Sequence, residues 1–199
     1  MLSTPTRRRS VRLPLYDYAQ PGAYFVTVCT HDRACLLGEV EGETVRLSAA
    51  GEIVRECWEV LPEHFPCVVL DAFVVMPNHV HAVIGITGDG ATPDDGATPD
   101  DGATPDRRGL INQTPTVDDG WILMQVPGVP LGKIVRAFKA RATRLIRQGG
   151  TPGFAWQRNY YERVLRDERE LGLTRRYIVA NPLRWRLDRL HPDQAARIR

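Results

Sequence analysis

Two histidines, His79 and His81, stand one residue apart in "VVMPNHVHAVI" (74–84), inside an apolar run that otherwise reads as a β-strand. Side chains on a strand alternate faces, so both imidazoles project to one side while Val80 points to the other. A pair presented this way suits a metal ion or a charged ligand, and its plainer alternative is an exposed strand edge where imidazole is harmless. A second chemical feature is "LGKIVRAFKARATRLIRQ" (131–148), where Lys133, Arg136, Lys139, Arg141, Arg144 and Arg147 occur with no acidic residue among them. Uncompensated positive charge along a helix is suited to phosphate contact, although a solvated helix face can look the same.

The elements that must position these residues are legible from periodicity. "GAYFVTVCTH" (22–31) alternates and carries Tyr, Phe, Val and Thr, so it reads as a strand. "LLGEV" and "VRLS" read as turn-like. Ser48 to His64 places Ile53, Val54, Cys57, Trp58 and Leu61 at helical spacing, with Ser48 as N-cap and "PEHFP" as the stop. "CVVLDAFVVM" and "HVHAVIGI" are strands joined through Pro77 and Asn78 as a hairpin. In the basic segment, Leu131, Ile134, Val135, Phe138, Ala142, Leu145 and Ile146 make an apolar stripe, and Gly149–Gly150 end the helix. "FAWQRNYYERVLR" (154–166) is strand-like, and "DERELGLTRRYIVANPLRW" is a helix that Pro182 ends. Strand, helix, strand, strand, helix, strand, helix is the order of a split βαβ unit. We therefore expect an α+β, ferredoxin-like domain: a four- or five-stranded antiparallel sheet with helices packed on one face, followed by a C-terminal helix.

Composition narrows the class. A chain of 199 residues with 43% hydrophobic content can bury one full core. The net charge of +2 conceals an uneven spread: acidic residues gather in "TGDGATPDDGATPDDGATPD", and the remainder is basic, as expected of a polyanion binder. Residues 89–106 are three copies of DGATPD, which offer almost nothing to bury, so residues 87–127 read as a disordered insert without chemistry. Cys29, Cys35, Cys57 and Cys67 lack CxxC spacing and follow no secretory signal, which points to free thiols in a cytoplasmic protein. No apolar run reaches the roughly 20 residues needed to cross a bilayer, so no membrane partner is expected. The expected organisation is a basic N-terminal arm (1–21), one domain (22–186) interrupted by the insert, and a C-terminal tail (187–199).

Taken in order, "MPNHVHAVI", "LGKIVRAFKARATR", "FAWQRNYYERVLRDE" and "YIVANPLRW" resemble the single-tyrosine HUH transposases, most closely the REP-associated tyrosine transposases. "RRRSVRLPLYDYAQPGAYFVTVCTHDRACLLGEV" is similar to that group's N-terminus. The likeness runs from about Arg7 to Trp185, and the repeat insert departs from it. The resemblance implies that His79 and His81 bind Mg²⁺ or Mn²⁺, that the last helix carries a nucleophile at Tyr177, and that Asn181 is the third ligand where relatives more often have glutamine. Positions i and i+4 share a helix face, so the Tyr177 hydroxyl and the Asn181 carbonyl can meet one small volume.

The implied activity is a DNA-nicking and strand-joining transposase acting on single-stranded, hairpin-bearing DNA with REP-like palindromes. Tyr177 would displace a 3′ oxygen and leave a 5′-phosphotyrosine link, from which a second 3′-OH can rejoin the strand without ATP. A phenol of pKa about 10 needs help to ionise, expected from the metal and nearby arginines. Arg7, Arg8, Arg9, Lys133, Arg136, Lys139, Arg141, Arg144 and Arg158 are the expected DNA contacts, and the location is the cytoplasm, at the nucleoid. Relatives act as homodimers or as monomers, and no heptad here selects between them. Two other readings keep the same fold: a non-cleaving hairpin DNA or RNA binder that stacks bases on Trp156, Tyr160 or Tyr161, and a phosphodiesterase that uses water in place of Tyr177.

Overall fold

The structure is a computed structural model that describes residues 16–88 and 129–196. Arg7, Arg8, Arg9 and the DGATPD repeat lie outside the described residues. The strands are β1 (Gly22–Cys29), β2 (Gly38–Glu41), β3 (Thr44–Leu47), β4 (Val68–Met76), β5 (His79–Ile86) and β6 (Tyr161–Leu165). The helices are α1 (Ala49–Glu59), α2 (Leu61–His64), α3 (Leu131–Gln148), α4 (Glu168–Val179) and α5 (Pro192–Ala196), with a 3₁₀ turn over Pro182–Leu187 between the last two.

Four strands form an antiparallel sheet in the order β4-β5-β1-β6. β5 lies between β4 and β1, so the unit β1–α1–β4 is a split βαβ and the fold is the expected ferredoxin-like one. β2 and β3 form a separate two-stranded ribbon where the sequence reads as turns. Each strand is only four residues long, and Arg46 bridges Glu39 and Glu41 across them, so no apolar alternation announced it. The expected helix to His64 breaks at Val60, because Pro62 lacks an N–H and crowds the preceding turn. Of the strand-like 154–166 stretch, only Tyr161–Leu165 is a strand; Trp156 makes a single bridge to Thr30.

Alternation along β1 and β5 sorts the two sheet faces. Tyr24, Val26, Val28, Val80, Ala82, Ile84 and Ile86 face α1 and α3 in one core. Trp58 of α1 stacks on Phe73 of β4 at 5.1 Å and meets Phe138 of α3 edge-on at 5.3 Å, fastening the three elements together. Ser48 caps α1 by accepting from the Gly51 N–H at 3.1 Å. Gly51 has no replacement, since a Cβ there would stand 2.0 Å from the Leu37 carbonyl oxygen.

The opposite sheet face carries Ala23, Phe25, Val74 and Val83, and α4 covers it through Ile178 and Leu171. Thus α1 and α3 share one face as expected, while the C-terminal helix lies across the other. Asp167 caps α4, and a bulge in β4 between Leu70 and Phe73 presents Asp71 to the helix. There the Arg175 guanidinium donates to both Asp71 oxygens, at 2.8 and 2.5 Å, and holds the Asp71 carboxyl below its ordinary value. That pair fixes the rotation of α4 two residues before Tyr177.

Candidate active site

His79 and His81 belong to the face that α4 covers, and on an interior strand, so they are not an edge feature. His79 is 0% and His81 3% exposed. Their ring centroids are 4.4 Å apart. Burial lowers both from the ordinary histidine value, His79 well below it and His81 to about 4, so both are neutral near pH 7.

Each imidazole has one nitrogen engaged behind it. His81 Nδ1 lies 2.7 Å from Thr27 Oγ1, its register partner on β1. His79 Nδ1 lies 2.8 Å from Asn78 Oδ1. The other nitrogens point to a common volume: His81 Nε2 is 3.1 Å from the Tyr177 hydroxyl, and His79 Nε2 is buried with no partner. The tyrosine expected as nucleophile is therefore brought against the histidine pair within one chain. Tyr177 is 42% exposed, so its hydroxyl reaches inward while the ring edge meets solvent. Burial holds the phenol above its ordinary value, Asp188 adds to this, and Asn181 opposes it. Its surroundings thus act against ionisation, contrary to the help expected of neighbouring arginines, because the largest influence is desolvation.

Asn181 is buried, with its Oδ1 unpartnered and its Nδ2 donating to Asp188 Oδ2 at 3.3 Å. Asp188 was missed by sequence reasoning. Its carboxylate, with one nitrogen from each of His79 and His81, forms a group of donor atoms all within 4.8 Å of one another. A metal-ligand set accounts for what would otherwise be costly: a buried, unpaired Nε2 on His79 beside a carboxylate, and a buried, unpaired Oδ1 on Asn181. The residues fit a divalent cation held by His79, His81 and Asp188, with the Asn181 carbonyl beside them.

The site opens into a groove of about 900 Å³ lined by Phe25, Tyr160, Tyr161, Tyr177, Arg33, Arg184 and Arg189 among others. Gln157, Asn159 and Tyr160 also line a second groove, of about 1340 Å³, along α3. Lys133, Arg136, Lys139, Arg144, Arg147 and Arg158 line that larger groove, so five of the six predicted cations from α3 onward lie on one track leading to the histidines. Arg141 does not: it turns toward α1, where its guanidinium meets the Cys57 thiol. Lys139 is partly spent on structure, donating to the Gln157 and Arg158 carbonyls at 2.5 and 3.4 Å. Arg33, Arg184 and Arg189 carried no periodic signal, since they lie in irregular segments. Among the described residues no helix is long and apolar enough to cross a membrane.

No family model matches the chain. A Haemophilus influenzae protein described as uncharacterized is 34% identical to it over 186 residues, 94% of each chain. A solved structure of a REP-associated tyrosine transposase bound to a REP hairpin superposes with a TM-score of 0.52 at 17% identity, covering 89% of this chain and 74% of that one. The chain therefore belongs to one family with the Haemophilus influenzae protein and has the fold of a REP-associated tyrosine transposase.

Proposed function

We propose that the protein is a metal-dependent, single-stranded DNA endonuclease and strand transferase that acts on hairpin-bearing DNA through a 5′-phosphotyrosine intermediate. The observation that carries this reading is the meeting of the Tyr177 hydroxyl with His81 Nε2 at 3.1 Å, beside the buried, unpartnered Nε2 of His79. A phenol, two neutral imidazoles and a carboxylate converge where a phosphodiester can enter from the arginine-lined groove.

The chain's own residues would divide the work as follows. Lys133, Arg136, Arg144 and Arg158 hold the backbone phosphates along α3, and Tyr160 and Tyr161 offer faces for unstacked bases at the junction of the grooves. In the metal-free site His81 Nε2 holds the phenol in place; once that nitrogen is taken by a bound cation the hydroxyl is freed, and its proton leaves to the open side of the groove. The Tyr177 oxygen then forms a bond to phosphorus as the P–O3′ bond breaks, and the departing oxygen is protonated to a 3′-OH. A second 3′-OH attacks the same phosphorus and gives up its proton as the P–O bond to Tyr177 breaks. The tyrosine oxygen takes back the electron pair and a proton, so one phosphoester bond is exchanged for another and no bond energy is lost. A divalent cation held by His79, His81 and Asp188 would polarise a non-bridging phosphate oxygen and offset the charge that develops there. Because the phenol and imidazoles meet within one chain, no second copy is needed to complete this contact.

The test is incubation with end-labelled hairpin-bearing single-stranded DNA and Mn²⁺, followed by denaturing electrophoresis. Wild type should give a denaturant-resistant protein–DNA band, lost in Tyr177→Phe and in His79→Ala. Cleaved DNA without a band, persisting in Tyr177→Phe, would make the protein a water-using phosphodiesterase. Tight hairpin binding with no cleavage would make it a binding module.

A further inference from the structure

We propose that Asn78 is a positioning residue: its side-chain amide holds His79 with Nδ1 protonated and Nε2 aimed at the metal position, and also pins the segment that brings Asp188 there. The inference rests on the metal reading above and adds a residue to it. Asn78 is 0% exposed at the turn between β4 and β5. Its Nδ2 donates to the Arg33 carbonyl at 3.1 Å and to the Leu190 carbonyl at 2.9 Å. Both N–H bonds of the amide are thereby used on acceptors that cannot donate, which settles its orientation. Oδ1 must then be the atom facing His79 Nδ1 at 2.8 Å, and since a carbonyl oxygen only accepts, Nδ1 carries the hydrogen. A neutral imidazole has one hydrogen, so the Nε2 lone pair is left free, and that is the buried nitrogen with no partner.

Asn78 is itself immobilised. Its main-chain carbonyl accepts from the Thr30 N–H at 2.9 Å and from Thr30 Oγ1 at 3.0 Å. Leu190, tethered by the side chain, donates its N–H to Asp188 Oδ1 at 2.6 Å. One amide therefore couples a histidine ligand from β5 to a carboxylate that follows α4. Partners of this kind set ligand tautomer and orientation, and removing them commonly costs about ten- to hundredfold in metal affinity.

The test combines Mn²⁺ titration with nitrogen-15 spectra of the imidazoles in metal-free protein, His79 being assigned from a His79→Gln variant. Wild type should show His79 protonated at Nδ1. Asn78→Ala should mix the tautomers and weaken Mn²⁺ binding about ten- to hundredfold. Asn78→Asp keeps the acceptor but loses both donors, so it should restore the tautomer while leaving Mn²⁺ affinity below wild type. An unchanged tautomer in Asn78→Ala, or an unchanged Mn²⁺ affinity, overturns the proposal. If Asn78→Ala does not fold, loss of the Nδ1–H tautomer in Asn78→Asp overturns it equally. Wild type that binds no Mn²⁺ removes the metal reading instead, and the tautomer comparison still decides the role of Asn78 toward His79.

Discussion

Metal-free protein should lose stability steeply as the pH falls below about 6.5, and the histidine pair is the reason. Burial lowers His81 to about 4 and holds His79 well below the ordinary 6.5. Between those values the unfolded chain binds protons that the folded chain refuses, so stability rises with pH there and falls on acidification. From about pH 7 to about pH 5, His81 alone should remove about 2 kcal/mol, and His79 acts in the same direction. Against a total of about 5–15 kcal/mol for a typical domain, this is a large share. The window lies above the range where carboxylates such as Asp71, lowered by Arg175, begin to lose their contribution. The assay is urea unfolding in chelator at several pH values, for wild type and His81→Gln. The variant should lose about one proton from the slope of stability against pH. A flat wild-type profile over this window, or an identical slope in the variant, would refute the placement of a buried neutral imidazole at position 81.

Asp188→Asn should weaken Mn²⁺ binding by about tenfold, measured by titration, and should bring the Tyr177 phenol down, read from phenolate absorbance against pH, because the carboxylate now pushes it up. Arg136→Ala should lower the slope of log affinity for single-stranded DNA against log salt by about one, whereas Arg141→Ala, off the groove, should leave that slope unchanged. Phe138→Ala should cost about 3–5 kcal/mol in chemical denaturation, since the ring is fully buried against Trp58 and Trp156.

Local periodicity determined much of this protein on its own. Alternation put His79 and His81 on one face and Val80 in the core, and the stripe from Leu131 to Ile146 turned one side of α3 inward. The interleaving of strands and helices sufficed for the ferredoxin-like order. Tyr177 and Asn181 were singled out by motif likeness, and helical spacing puts them on one face. What lay beyond local pattern was decided where distant segments meet. Asp188 follows a 3₁₀ turn and has no periodic relation to β5, so its carboxylate reaches the imidazoles through the docking of its segment, Leu190 on Asn78 and Asp188 itself on Asn181. Arg141 shares its residue type with Arg136 and Arg144 but sits where α1 packs, and the helix–helix contact takes it from the groove. Which sheet face α4 covers was likewise settled by Ile178 on Val83 and Arg175 on Asp71, contacts between residues far apart in the chain. Spacing along a chain states which side chains share a face, whereas the partner that face meets depends on packing that no single segment encodes.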